Sequence, residues 1–326
     1  MDKRVRVGVD VGGTFTDFVL VDEDRDLIFT GKRLTTSEDP SIAITEGVAR
    51  LLKEAGTDAR RLDSVVHGTT LVTNTIIERT GAKVGLITSM GFRDALEMGR
   101  EIRYDLYDLF LESPPTLVPR YLRCEVAGRV APDGAVLQDF DEKGFREVAR
   151  KLVEDEKVEA IAVCFMHAYR NPEHERRAKV ILAEMFGGVP VTISSEVAPE
   201  IREFERTSTT CANAYVQPMM LRYLERLDKN LRGMGLNGAL YVMLSGGGIT
   251  TVRSAQAYPI RLVESGPAAG AMAASFYSGL TGVDNLISFD MGGTTAKMCL
   301  IDGGRPDRKH DFEAGRVRRF MKGSGL

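Results

Sequence analysis

The chain has no tryptophan and only four cysteines in 326 residues. Cys124, Cys164, Cys211 and Cys299 are widely separated, so neither a zinc ribbon nor a Cys-x-x-Cys redox pair can be drawn from them. Free thiols in a reducing compartment are expected. Neither sign of charge is in excess: 43 basic and 46 acidic residues leave a formal net charge of -3. No general positive field draws in nucleic acid or an anionic membrane. Residues 1–11 alternate charge with valine and hold no apolar signal-peptide core. The longest unbroken apolar run, residues 160–166, is far short of a membrane span. A soluble, cytoplasmic protein is expected. Several familiar motifs are also missing. There is no G-x-x-x-x-G-K-[ST] loop, no G-x-G-x-x-G opening a helix, no H-E-x-x-H and no G-x-S-x-G. P-loop and Rossmann nucleotide sites, zinc proteases and α/β-hydrolases therefore have no support.

What is present is an ordinary globular composition, 43% hydrophobic and 27% charged, long enough for about two domains. The 33 glycines point to loops where backbone comes close to something. The first segment alternates strictly. Val5, Val7, Val9 and Val11 share one strand face, and Arg6, Gly8, Asp10 and Gly12 the other. Gly12-Gly13 turns the chain, and residues 15–21 read as a return strand. Asp39-Pro40 opens a helix whose apolar stripe is Ile44, Val48, Leu51 and Leu52, and Gly56 stops it. Further strand-like runs are expected at 64–66, 83–88, 158–166, 189–194 and 239–244. Helical patterns span about 171–187 and 207–231, the second interrupted by Pro218. Strands alternating with helices predict an α/β architecture. Residues 112–139, rich in Pro, Gly and Arg, read as a loop or small-strand insertion.

One motif occurs twice. Asp10-Val11-Gly12-Gly13-Thr14 recurs 280 residues later as Asp290-Met291-Gly292-Gly293-Thr294, each between an apolar strand leading in and a second strand leading out. Two such copies in matching contexts have a chance of roughly one in ten thousand at ordinary residue frequencies, so duplication is indicated. Glycines after a strand permit positive φ and remove Cβ, so backbone N–H groups can aim at a phosphate. Thr14 and Thr294 add hydroxyl donors. A carboxylate on the same face, Asp10 or Asp290, suits a Mg²⁺ ligand acting through water. Two such hairpins face to face would clamp one phosphate chain. Each hairpin alone reads equally well as a tight turn with an acid beside it.

Paired strand–turn–strand motifs of this kind resemble the actin-like ATPase superfamily. In that superfamily a small-residue helix precedes the second motif, and Glu264-Ser265-Gly266-Pro267-Ala268-Ala269-Gly270 occupies that place. The finer resemblance is to the hydantoinase A/5-oxoprolinase family, which also contains ketone carboxylase subunits. It is carried by residues 9–17, His67-Gly68-Thr69-Thr70, Tyr104-Asp105-Leu106, residues 167–177, Arg206-Thr207-Ser208-Thr209-Thr210, Asn213-Ala214-Tyr215, residues 245–248 and residues 264–270.

The resemblance implies an actin-like (RNase H-like) fold. A first domain is expected over residues 1–200 with an insertion near 100–140. Connecting helices and an incomplete second actin-like domain are expected over 201–326. It further implies ATP-dependent opening of a cyclic amide of the hydantoin or 5-oxoproline type by phosphorylation of the amide oxygen. The alternatives are a subunit of an acetone- or acetophenone-type carboxylase, and a non-enzymatic nucleotide-binding switch. The implied cofactors are ATP, Mg²⁺ and K⁺. The implied partners are a small cyclic amide or ketone and a hydantoinase B-type subunit, with no nucleic acid and no membrane. The superfamily's adenosine motif follows the second phosphate motif, and nothing after Thr294 resembles one. The chain is therefore expected to be part of a longer or split protein, and inactive alone.

The site residues expected on this basis are Gly12, Gly13, Thr14, Gly292, Gly293, Thr294, Gly246, Gly247 and Gly248 for phosphate. Asp10, Asp290 and Glu264 are expected for metal. His67 and Thr70, with Asp10, are expected for chemistry, since His67-Gly68-Thr69-Thr70 follows a strand and opens a helix. Each has a plainer reading: a backbone-satisfied histidine with a threonine cap, a flexible glycine connector, and for Glu264 a carboxylate that suits a helix dipole. Arg100, Arg103, Tyr104 and Asp105 are the candidates for substrate contact. Lys297 suits either a phosphate contact or a solvated strand, and His174 is expected at the surface.

Overall fold

A computed structural model describes residues 5–36, 38–291, 296–309, 311–318 and 321–325. The chain begins with β1 (Val5–Val11), β2 (Phe15–Asp22), β3 (Leu27–Leu34), α1 (Pro40–Glu54), β4 (Leu62–Thr69) and α2 (Leu71–Ile77). It continues through β5 (Val84–Ser89), α3 (Ala95–Met98), β6 (Arg123–Val126), β7 (Arg129–Val130), β8 (Val136–Gln138), α4 (Glu142–Arg150), β9 (Ala160–Cys164), α5 (Glu173–Met185), β10 (Val191–Ile193) and α6 (Ser194–Val197). The remaining elements are α7 (Glu203–Gly233), β11 (Ala239–Met243), β12 (Ile249–Thr251), α8 (Val252–Ala257), α9 (Ser265–Thr281), β13 (Leu286–Met291), β14 (Ala296–Asp302) and β15 (Arg305–Pro306).

Packing divides the chain into a first unit, residues 1–73 with 220–311, and a second, residues 74–219 with 312–326. These units are drawn differently from the sequence segments 1–200 and 201–326. The reason lies in the strand pairing of the first unit. Its six-stranded sheet runs β12-β11-β4-β1-β2-β3. The β1–β2–β3 strands form an antiparallel meander. β4 lies parallel to β1, and β11 lies parallel to β4. The strand that completes the mixed sheet beside β4 is thus Ala239–Met243, beyond the expected end of the domain near 200.

The alternation expected at the N-terminus holds. Val5, Val7, Val9 and Val11 are buried on one sheet face with Phe18 and Leu20, and with Ile44, Val48 and Leu51 of α1. Asp39 caps α1 by accepting a hydrogen bond from the Ser41 N–H at 3.1 Å, and Pro40 enters the first turn. At Gly47 only hydrogen fits, because a Cβ would meet the Phe18 ring at 2.1 Å. β3 was not among the expected strands. It is the sheet edge, with Ile28 and Leu34 exposed, and Gly31-Lys32-Arg33 breaks its alternation.

The second unit holds a parallel sheet in the order β10-β9-β5-β6. β9 is buried on both faces, which explains its continuous apolar run. The Pro/Gly/Arg-rich stretch supplies β6, an edge strand of this sheet, as well as the small β7–β8 pair. His174, expected at the surface, is buried and stacks on Phe140 at 5.7 Å between ring centroids. Its place in the first turn of α5 turns it inward.

Candidate phosphate site

Because β1, β4 and β11 run parallel, their carboxyl ends leave the sheet at one end. The Gly12–Thr14 turn, Thr70 and the Gly246–Gly248 segment all emerge there. In open α/β sheets that is where ligands bind.

The first hairpin is stitched by backbone and Thr35. The Gly12 N–H donates to Phe15 O at 2.9 Å, the Thr35 hydroxyl to Gly12 O at 2.9 Å, and the Thr35 N–H to Thr14 O at 2.9 Å. Neither Gly12 nor Gly13 takes positive φ, contrary to expectation. What the glycines provide is absence of bulk. A Cβ at Gly12 would stand 3.1 Å from Phe15 O, and Gly13 has nothing within 4 Å of its Cβ position, leaving its backbone open.

Asp10 stands on the sheet face opposite the valines. Its neighbours were chosen by strand register. Asp17 of β2 and Gly68 of β4 lie directly beside it. A Cβ on Gly68 would come within 2.9 Å of Asp10 Oδ1, and one on Gly266 of α9 within 3.4 Å. Two glycines therefore make room for this carboxylate. Its pKa is raised from the ordinary value, first by loss of water around it and then by the charges of Asp17 and Asp290, with Lys297 acting the other way. Asp17 itself pairs with Lys32 at 3.1 Å.

The second copy carries the opposite charge beside its aspartate. Asp290 of β13 faces Lys297 of β14, where Asp10 faces Asp17. Lys297 Nζ lies 2.5 Å from Glu264 Oε2. Glu264 adopts φ +59° just before α9, a left-handed conformation uncommon for a side chain of its size. The N-terminus of α9 is fastened to α2 and to the end of β4. The Glu264 N–H donates to Thr73 Oγ1 at 3.1 Å, and the buried Ser265 hydroxyl donates to Thr69 O at 3.0 Å. Gly292, Gly293 and Thr294 lie outside the described residues.

Among the described residues no three His, Cys, Asp or Glu side chains group as a metal-binding set. Asp10, Asp290 and Glu264 do not by themselves form an inner ligand shell. The negative charge that Asp17 and Asp290 bring to Asp10 does fit a cation held through water, as Mg²⁺ usually is beside phosphates.

His67 lies within β4 rather than after it, at 0% exposure. It shares a 2.8 Å hydrogen bond between Nε2 and the Tyr223 hydroxyl. Burial pushes its pKa down to about 4, partly offset by the Val9 backbone. The imidazole is therefore neutral at ordinary pH. Thr70 closes the end of β1 against β4, its N–H donating to Val11 O at 3.2 Å. The Gly246–Gly248 segment is the turn of the β11–β12 hairpin. The Leu244 N–H donates to Gly248 O at 2.8 Å, and Gly247 sits at φ +83° with Met272 where its Cβ would be. It is an ordered turn rather than a loose connector.

Arg100, Arg103, Tyr104 and Asp105 belong to the second unit. Arg100 Nε donates to Glu205 at 2.9 Å, Arg103 to Asp108 O at 2.9 Å and the Tyr104 hydroxyl to Glu112 O at 2.7 Å. Asp105 pairs with Arg318 at 2.7 Å. All four are engaged within that unit. The sequence reading missed Asp17, Gly68, Gly266 and Tyr223 as members of the site. Asp17 was within reach, since a short turn at Gly12–Thr14 puts it opposite Asp10. The others come from distant strands and helices.

The mixed sheet, the phosphate-type hairpin at its carboxyl end and the helix leading to a second hairpin define an actin-like ATPase fold. The chain belongs to the hydantoinase/oxoprolinase family: residues 6–186 match the hydantoinase/oxoprolinase N-terminal region, and residues 206–321 match hydantoinase/oxoprolinase. Caprolactamase subunit alpha of Pseudomonas jessenii is 35% identical over 97% of this chain and 46% of its own. An uncharacterised protein of Methanocaldococcus jannaschii is 38% identical over 98% of this chain and 47% of its own. In solved structures, nucleotide-free acetone carboxylase superposes with TM-score 0.83 at 28% identity, over 94% of this chain and 46% of its own. The ATP-dependent caprolactamase superposes with TM-score 0.82 at 35% identity, over 92% and 44%. The chain spans about half the length of the curated relatives it matches.

Proposed function

We propose that this chain is the phosphate-binding portion of an ATP-dependent cyclic amidohydrolase. The observation that carries the reading is the duplicated hairpin, whose second aspartate, Asp290, lies near enough to raise the pKa of the first, Asp10. The 35% identity to a caprolactamase subunit supports the amide as substrate. An amide carbon is a poor electrophile. Transfer of the γ-phosphoryl group of ATP to the amide oxygen leaves ADP and turns that oxygen into a leaving group. Water then adds to the carbon, the C–N bond breaks to release the amine and leave an acyl phosphate, and a second water cleaves that acyl phosphate to a carboxylate and inorganic phosphate.

Phosphoryl transfer is mostly positioning and charge neutralisation. The Gly12–Thr14 backbone and Thr70 border the phosphates at the carboxyl end of β1 and β4, with Gly292, Gly293 and Thr294 on the second hairpin. The Gly246–Gly248 turn bounds the same end of the sheet. Asp10 and Asp290, with Glu264, would hold Mg²⁺ through water, and that ion would neutralise charge on the phosphates. K⁺ is a further candidate cation. His67, fully buried, is assigned to holding the Gly68–Thr70 segment in place with Tyr223 rather than to touching substrate. Arg100, Arg103, Tyr104 and Asp105 remain the proposed substrate contacts, and a hydantoinase B-type chain the proposed partner. A cytoplasmic location fits. No described helix is long and apolar enough to cross a membrane.

A second reading is favoured by the 31% identity to the acetophenone carboxylase gamma subunit of Aromatoleum aromaticum and the fit to acetone carboxylase: activation of a ketone or bicarbonate oxygen by the same site. Phosphate release by the assembled enzyme separates the two. Release dependent on caprolactam, hydantoin or 5-oxoproline supports the first, and release dependent on a ketone plus bicarbonate supports the second. In the first case Asp10→Asn should lower turnover on the order of a hundredfold or more with unchanged thermal unfolding. Wild-type turnover in that variant would remove Asp10 from the site.

A further inference from the structure

Two carboxylates of the proposed phosphate site already have a cation beside them. Lys297 Nζ lies 2.5 Å from Glu264 Oε2, and the two side chains are only 26% and 21% exposed. Strand register puts Lys297 directly across from Asp290. Alternation sets both on one face of their hairpin. Ile287, Phe289, Met291, Met298 and Leu300 take the outward face, so Asp290 and Lys297 share the face that packs on α9. Ser288, also on that face, places its Oγ 3.9 Å from the Cβ position of Gly270 in α9.

Glu264 is itself fixed in place. Its N–H is held by Thr73 Oγ1, and α9 begins at the next residue. Two residues after Glu264, Gly266 brings α9 against the Asp10 carboxylate, its Cβ position standing 3.4 Å from Oδ1. Asp10 and the Glu264–Lys297 pair therefore flank the same first turn of α9. Among the charges that act on the Asp10 carboxyl, after its loss of water, Lys297 opposes Asp17 and Asp290. The repeat makes the difference between the copies visible. One register position carries a carboxylate, Asp17, in the first hairpin and an ammonium, Lys297, in the second. Asp17 turns to Lys32 of β3.

Neighbouring carboxylates are costly without a cation among them. A tethered ammonium and a hydrated divalent ion meet that need equally, and they repel one another. We propose that Lys297 is a built-in counter-ion of the phosphate site: without nucleotide, its ammonium neutralises Glu264 and Asp290 and opposes entry of a free divalent cation. The inference rests on the phosphate-site reading given above. Its consequence is an order of binding. The metal enters with a nucleotide, whose phosphates supply negative charge for both cations. Lysine suits the role, being a point charge on a flexible stem.

Mn²⁺ alone is the probe. It is titrated into the full chain and read as loss of the free-ion electron paramagnetic resonance signal. The wild type should bind it weakly. Lys297→Met keeps the aliphatic stem and should bind it about fivefold more tightly or better, the scale of one charge acting on a divalent ion across several ångströms of water. Lys297→Arg should match the wild type, because it keeps the charge. Adding Asp10→Asn to Lys297→Met should abolish the gain, which places the ion at this site. Melting temperatures are read alongside, and Lys297→Gln replaces the first variant if that one does not fold. No gain in the uncharged variants, a loss of affinity, an equal gain in Lys297→Arg, a gain that persists with Asp10→Asn, or no measurable Mn²⁺ binding in any variant would overturn the counter-ion role. None of those outcomes touches the ATP reading, which stands or falls on phosphate release by the Asp10→Asn enzyme.

Discussion

Asp10 and Asp17 oppose one another across two antiparallel strands, an arrangement that ordinarily destabilises a sheet. Their retention beside Gly68 and Gly266 makes sense where a cation is the intended neighbour. Room for the Asp10 carboxylate is then a requirement of its own. Gly68→Ala would put a methyl 2.9 Å from Oδ1, forcing the carboxylate to turn. ATP turnover of the assembled enzyme should fall roughly 10- to 100-fold, the scale of a small misplacement, while the melting temperature barely moves. Equal losses of both would mean that Gly68 serves packing alone. His67 makes a different demand. Its pKa is about 4 folded against about 6.5 unfolded. Between those values the unfolded chain binds the extra proton, so stability is present above about pH 6.5 and is lost as pH falls toward 4. The loss attributable to this group is about 3 kcal/mol. Urea unfolding from pH 7 to 4 should show a flatter profile for His67→Gln than for wild type. Parallel profiles would show that the imidazole is not held neutral.

The helices were the most readable elements. α1 was announced by Asp39-Pro40 and its apolar stripe, α5 by its amphipathic pattern, and α7 by a pattern that runs through Pro218. Their signals are local and repeat every turn. Edge strands were harder to read. β3 holds Gly31-Lys32-Arg33, which mask its alternation in the sequence, and β6 lay hidden in a Pro/Gly/Arg-rich stretch. The seating of α1 on the first sheet depends on a single missing side chain. Gly47→Ala would drive a methyl into the Phe18 ring and should cost about 1–3 kcal/mol in urea unfolding, the usual range for overpacking. A neutral result would show that α1 slides on the sheet.

The three-stranded sheet β13-β14-β15 packs one side on α9 and turns an apolar side outward. The cross-strand pair Phe289 and Met298, flanked by Ile287, Met291 and Leu300, is between 58% and 74% exposed. Exposed apolar faces of this extent favour association. The 326-residue chain should therefore bind a hydrophobic dye and sediment faster with rising concentration. Phe289→Ser combined with Met298→Ser should suppress both. A monomeric, dye-silent wild type would show that this face is covered in solution.

The duplicated Asp-x-Gly-Gly-Thr hairpins, the valine alternation of β1 and the helix before the second hairpin were legible because each depends on residues near one another in the chain. They were enough to indicate the fold and the family. The pairing of β11 with β4, the two glycines flanking Asp10 and the Tyr223 partner of His67 were not. Each joins segments distant in sequence, and strand register together with helix docking selects which side chains meet. Composition and periodicity carry no record of that choice.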